Sequence, residues 1–143
     1  MKWITRARPK TDRIACPWLI RRFIDSDAEI MYVPTEQVLA TAADLRAHSF
    51  DMPGAEYDHR NNQCTFEVLI DEFELTGDLA LKRLARIVHA ADIEAEIDTD
   101  PFGRALLALA FGGLDVESDD LRLLDRASFV YDALYAWCQQ QVI

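Results

Sequence analysis

Four side chains in this chain carry the donor atoms that a first-row metal ion takes: His59, Glu67, His89 and Asp92. Two imidazoles and one carboxylate, His59, Glu67 and His89, compose a set that suits iron, manganese or zinc and leaves positions open for water or a ligand. Asp92 follows His89 by three residues and so shares its helical face, where it completes the shell or orients the imidazole. The spacing is not a local metal motif, so convergence of the three is an expectation about the fold. Each member has a structural reading too. Glu67 near a helix start and His89 near a helix end both suit the helix dipole, and His59 in a loop need hold nothing. His48, at a helix end, reads as a surface residue.

A second group lies at the amino terminus. Lys2, Arg6, Arg8, Lys10, Arg13, Arg21 and Arg22 face a single acid, Asp12, in the first 22 residues, while the whole chain carries a net charge of −10. A cationic segment on an anionic body is a selective anion site that the remaining surface shields from polyanions. The alternative is that the two halves pair in the fold, Arg13 with Asp12 or with a downstream carboxylate. No Ser/His/Asp nucleophile arrangement, glycine-rich phosphate loop or dinucleotide fingerprint accompanies these groups.

The elements that must position these residues are legible from periodicity and capping. Trp3-Ile4-Thr5 reads as a short strand, Cys16-Pro17 as a helix start and Glu29 to Val33 as a second strand closed by Pro34. Thr35 caps a helix to about Ala47, and Ser49 to Met52 forms a third strand before the turn at Pro53-Gly54. Glu56 to Gln63 is loop. Thr65 or its neighbour caps a helix through Phe73, and Asp78 caps one through about Ala91. Asp100-Pro101 opens a fifth helix, which Gly112-Gly113 ends, and the last begins near Ser118 with Leu121, Leu124, Tyr131, Leu134 and Cys138 on one stripe. Tyr131, Tyr135 and Trp137 read as core or interface. The expected fold is α/β in content and α+β in arrangement. A small three-stranded sheet is covered by about six helices, and the carboxy-terminal half is helix-rich.

At 143 residues the chain is expected to form a single domain over 1–143. Three widely spaced cysteines, with no CxxC pair, exclude a disulfide framework and a zinc ribbon and fit a reducing compartment. The amino terminus lacks the apolar run of a signal peptide, and the longest apolar stretch, Ala105 to Phe111, is far short of the roughly 20 residues of a membrane span. The chain is therefore expected to be cytoplasmic. Its negative charge argues against general nucleic-acid affinity.

The run from Trp3 to Asp25, with Arg6, Arg8, Pro9, Lys10, Asp12, Arg13, Cys16, Pro17 and Trp18 within it, resembles the opening of the chromate-resistance (ChrB-type) domain. The resemblance continues at Met31-Tyr32-Val33-Pro34, at Phe50 to Gly54, at Cys64-Thr65-Phe66-Glu67, at Ile87 to Asp92 and at Asp132 to Tyr135. It implies a response to chromate or to a chromium or other metal species. In larger members such a domain follows a region thought to bind DNA. Met1 stands two residues before the motif, so direct nucleic-acid binding is not expected of this chain.

Chromate is a tetrahedral dianion, and proteins hold such anions with guanidinium forks and helix-start N–H groups. Under the resemblance, Arg6 and Arg13 are the leading ligands, with Lys10 and Arg8 auxiliary. Cys16, beside the expected helix start, would have a lowered thiol pKa if exposed; the alternative is that it packs in the core. Two functions follow. One is a stand-alone sensor or accessory binding protein for chromate, a related oxyanion or a metal ion. The other is a metal-dependent enzyme of redox or hydrolytic chemistry at His59, Glu67 and His89. A plain interaction domain and a homodimer stay open beside them.

Overall fold

A computed structural model describes residues 1–142. Strand β1 (Lys2–Arg6) runs through the middle of a three-stranded parallel sheet, flanked by β2 (Glu29–Val33) on one side and β3 (His48–Ser49) on the other. Lys2 aligns with Glu29 and Arg6 with Val33, while Trp3 aligns with His48. Parallel neighbours need a crossover, and two helices supply them. Helix α1 (Asp12–Leu19), extended by a wider turn over Ile20–Ile24, joins β1 to β2; α2 (Val38–Leu45) joins β2 to β3.

Alternation along β1 divides the interior. Trp3 points into the main core with Trp18, Phe50 and Phe66, and Ile4 points the other way, against Val38, Ala42 and Met52 under α2. The chain then leaves the sheet for α3 (Thr65–Glu72), α4 (Leu79–Asp92), α5 (Gly103–Val116) and α6 (Asp120–Gln141). Helix α4 packs against α3, α5 and α6, and α1 packs against α3 and α6. This is the expected sheet under a helix-rich carboxy-terminal half. Among the described residues no helix is long and apolar enough to cross a membrane.

Several boundaries differ from expectation for identifiable reasons. Helix α1 starts at Asp12, not at Cys16, and Pro17 lies inside it. A proline at that place has no N–H for the carbonyl four residues back. The Tyr32 hydroxyl of β2 takes over, donating to the Arg13 carbonyl at 2.6 Å. Strand β3 ends at Ser49, because Asp51 turns the chain with φ 55. Gly112-Gly113 does not stop α5; the Glu117 N–H still bonds the Gly113 carbonyl at 3.1 Å. On α6, Leu121 is exposed, and the buried stripe is Leu123, Leu124, Tyr131, Tyr135 and Cys138.

Candidate metal centre

The site is built around the start of α3. Asp12, the first residue of α1, is fully buried, and its carboxylate accepts the backbone N–H groups of Thr65 (2.8 Å) and Phe66 (3.3 Å). It thereby satisfies donors that an isolated helix start leaves free. Asp51 approaches from the turn after β3 and accepts the Thr65 hydroxyl at 2.8 Å. Asp92 arrives from the last turn of α4.

These three carboxylates meet at one imidazole. His59 Nε2 lies 3.0 Å from Asp92 Oδ2, 3.4 Å from Asp12 Oδ2 and 3.4 Å from Asp51 Oδ1. The His59 side chain is 44% exposed, whereas Asp12 is closed off from solvent. Hydrogen bonding to Asp12, Asp51 and Asp92 pushes the His59 pKa up to about 12. Burial, then the negative charge of Asp92, drives Asp12 well above the ordinary carboxylate range. Burial also acts against an ionised Asp51, but hydrogen bonds from His59 and Thr65 and the charge of Arg13 outweigh it and leave its pKa lowered. One N–H donates well to a single acceptor, so three carboxyl oxygens around one nitrogen are more than an imidazolium satisfies.

The cationic opening lies beside this cluster with its charges largely engaged. Arg6 Nε donates to the Asp51 carbonyl at 3.0 Å, and Arg6 Nη2 lies 3.8 Å from the Asp51 carboxylate. Arg13 Nε is 3.6 Å from the same carboxylate, and its Nη1 donates to the Ala7 carbonyl at 3.2 Å. Burial and the neighbouring Arg6 pull the Arg13 pKa below its usual value. Arg8 reaches the other way, to Asp120 and to the carbonyls of Leu114, Glu117 and Ser118. Lys10 sits with its ammonium 4.3 Å over the Phe111 ring. It lines a cavity of about 320 Å³ together with Thr11, Asp92 and Glu94.

The sequence-derived ligand sets are thus rearranged. His59 and Asp92 come together, joined by Asp12 and Asp51. Glu67 and His89 form a different pair, Nδ1 to Oε1 at 2.5 Å, with Glu96 3.4 Å from His89 Nε2. Burial opposes protonation of His89, but Glu67 and Glu96 outweigh it and hold its pKa above the usual value. The expected trio of His59, Glu67 and His89 does not share one centre; each imidazole has its own carboxylates.

Cys16 corrects a further expectation. It has no exposed surface, and burial followed by nearby Asp12 pushes its thiol up rather than down. The alternative reading, packing in the core, is the one the fold realises, and the earlier helix start leaves Cys16 in the second turn of α1. The Cys64 thiol is also buried and raised, by burial and by Asp12 and Glu67. His48 is not a surface residue at a helix end: it lies in β3, half-buried with its ring 4.2 Å from that of Trp3, and bonds Glu56 at 2.8 Å.

Asp12 and Asp51 are the centre's members that spacing did not flag. Asp12 had one signal, as the sole acid in a cationic run.

Two comparisons bear on these residues. The family model for the C-terminal domain of ChrB matches residues 3–138. Protein ChrB of Cupriavidus metallidurans is 37% identical over 135 residues, which cover 94% of this chain and 40% of that protein's length. No solved structure matches the chain.

Proposed function

The chain belongs to the ChrB C-terminal domain family, and from that premise we propose that it is a cytoplasmic metal-responsive binding module of chromate resistance. It holds a first-row cation at His59, Asp12 and Asp92, with Asp51 beside them. The observation that carries this reading is the convergence of three carboxylates from α1, the β3 turn and α4 on the single nitrogen of His59. Arginines neutralise Asp51 alone; among the described residues the imidazole is the one cationic group at Asp12 and Asp92, and Asp12 otherwise accepts only backbone N–H groups. Three carboxyl groups drawn to one imidazole, one of them fully buried, are costly to keep ionised, and a divalent ion offsets that cost better than one shared proton. A donor set of carboxylate oxygens and one imidazole suits manganese or iron ahead of zinc.

The oxyanion side of the reading narrows to Lys10. Arg6 and Arg13 are occupied by Asp51 and backbone carbonyls, whereas the Lys10 ammonium has no carboxylate partner among the described residues and lines the cavity that also meets Asp92. An anion entering there would approach a metal-loaded centre rather than bare carboxylates. That same cavity, next to a metal with open positions, is what favours the second reading, a metal-dependent enzyme of redox or hydrolytic chemistry.

The test is metal content after equilibrium dialysis of the purified chain against Mn²⁺. One ion per chain is expected, with affinity lowered at least tenfold in His59→Ala and in Asp92→Asn and unchanged in His48→Ala. Equal retention in all four proteins, each shown folded by circular dichroism, contradicts the reading.

A further inference from the structure

A second constellation lies near the first, also at the start of α3 and one turn earlier along α4. Cys64 immediately precedes the helix and Glu67 sits in its first turn, while His89 projects from α4, which packs alongside. One donor atom from each of these three residues lies within 4.8 Å of the others. The Cys64 backbone N–H donates to Glu67 Oε1 at 3.0 Å and so fixes the carboxylate beside the thiol. With His89 Nδ1 on the Glu67 side, its other nitrogen lies 3.4 Å from Glu96. That carboxylate–histidine arrangement orients metal-bound imidazoles elsewhere in proteins. Access is provided independently. Glu67 lines a cavity of about 450 Å³, which Lys82 and Arg86 of α4 also line. Neither cation has a carboxylate partner among the described residues.

The donor types differ from those at His59. A thiolate, an imidazole and a carboxylate are a borderline-soft set, and three protein ligands leave one position open on a tetrahedral ion. We propose that Cys64, Glu67 and His89 form a second cation site that takes a zinc-class ion, with its open position towards the 450 Å³ cavity. The site uses the thiol that the manganese- or iron-type centre does not touch. It stands whether or not that centre is occupied.

Cobalt(II) is the probe, because a bound thiolate gives a near-ultraviolet charge-transfer band and oxygen or nitrogen ligands do not. Titration of the full chain is expected to raise that band to a one-equivalent end point, with Zn²⁺ abolishing it by competition. Cys64→Ser is expected to lose the band. Glu67→Gln, which keeps the side chain's size, is expected to weaken cobalt binding at least tenfold should the serine variant fold poorly. Asp92→Asn is expected to leave the band intact, which separates this site from the one at His59. Absence of the band, or its persistence in Cys64→Ser through Cys16 or Cys138, overturns the proposal. Equal cobalt affinity in Glu67→Gln and the wild type overturns it as well.

Discussion

Replacing Tyr32 by Phe tests how the sheet holds the helix that carries Asp12 and Arg13. Pro17 leaves the Arg13 carbonyl without its intrahelical N–H, and the Tyr32 hydroxyl donates to it at 2.6 Å. Removing the hydroxyl leaves that carbonyl unsatisfied in a part-buried place, a loss of about 1–3 kcal/mol. The same substitution made on top of Pro17→Ala should cost much less, because residue 17 then supplies an N–H to the carbonyl. The difference, a coupling of about 1 kcal/mol or more, is isolated by a double-mutant cycle, which cancels the packing lost with the proline ring. Urea unfolding of the four proteins, followed by circular dichroism with unchanged m-values, measures it. A Tyr32→Phe change within about 0.5 kcal/mol of wild type, or an equal cost in both proline backgrounds, would refute the assigned role of this hydrogen bond.

Proton linkage gives a second expectation. With its pKa pushed up to about 12, His59 is charged at neutral pH and must lose its proton to a bound cation. Apparent metal affinity should therefore fall about tenfold for each pH unit lowered between roughly pH 7.5 and 5.5. Calorimetry in two buffers of different ionisation enthalpy should show release of a proton that His59→Ala abolishes; no release in the wild type would contradict it. In the metal-free protein the sign is reversed. The imidazolium's contribution to stability is complete below its unfolded pKa near 6.5 and is lost only as pH rises towards 12. Packing gives a third. A methyl group on Gly103 would meet the Ile97 carbonyl oxygen at 2.7 Å and the Ala90 Cβ at 2.8 Å. Gly103→Ala should cost about 1–3 kcal/mol by thermal or urea unfolding despite alanine's helix propensity, and a stabilised variant would show that α5 can move away freely.

How far the sequence reaches is clearest in the strands and in α4. The short apolar run at Trp3-Ile4-Thr5 marks β1 and alternation marks β2, and the Asp78 carboxylate caps α4 as its position implies, accepting the Leu81 N–H at 3.0 Å. The amino end of α1 was hidden because Pro17 looks like a first-turn residue, while the partner that lets it sit deeper, Tyr32, is on another element. Gly112-Gly113 misled for a different reason. Nothing lies within 4 Å of a Cβ at Gly112, so neither strain nor packing ends the helix there.

The site divides along the same line. Glu67 and His89 are each visible as helix-end residues, but their pairing depends on α3 lying against α4. Residues 50–63 decide that His59 reaches Asp12, Asp51 and Asp92 and not Glu67. That segment carries positive φ at Asp51, Asn61 and Asn62, turns that hydrophobic periodicity does not encode. Asp51 was unmarked because its position read as strand; as a turn residue it faces both arginines and the imidazole.

The most direct measurement of the central claim is an anomalous difference map from crystals of the chain grown with one equivalent of Mn²⁺. The expected result is a single strong peak bounded by Asp12, Asp92 and His59, with ligand distances of about 2.0–2.3 Å. A map in which saturating Mn²⁺ leaves no peak there, and His59 Nε2 still rests against its three carboxylates, would contradict it.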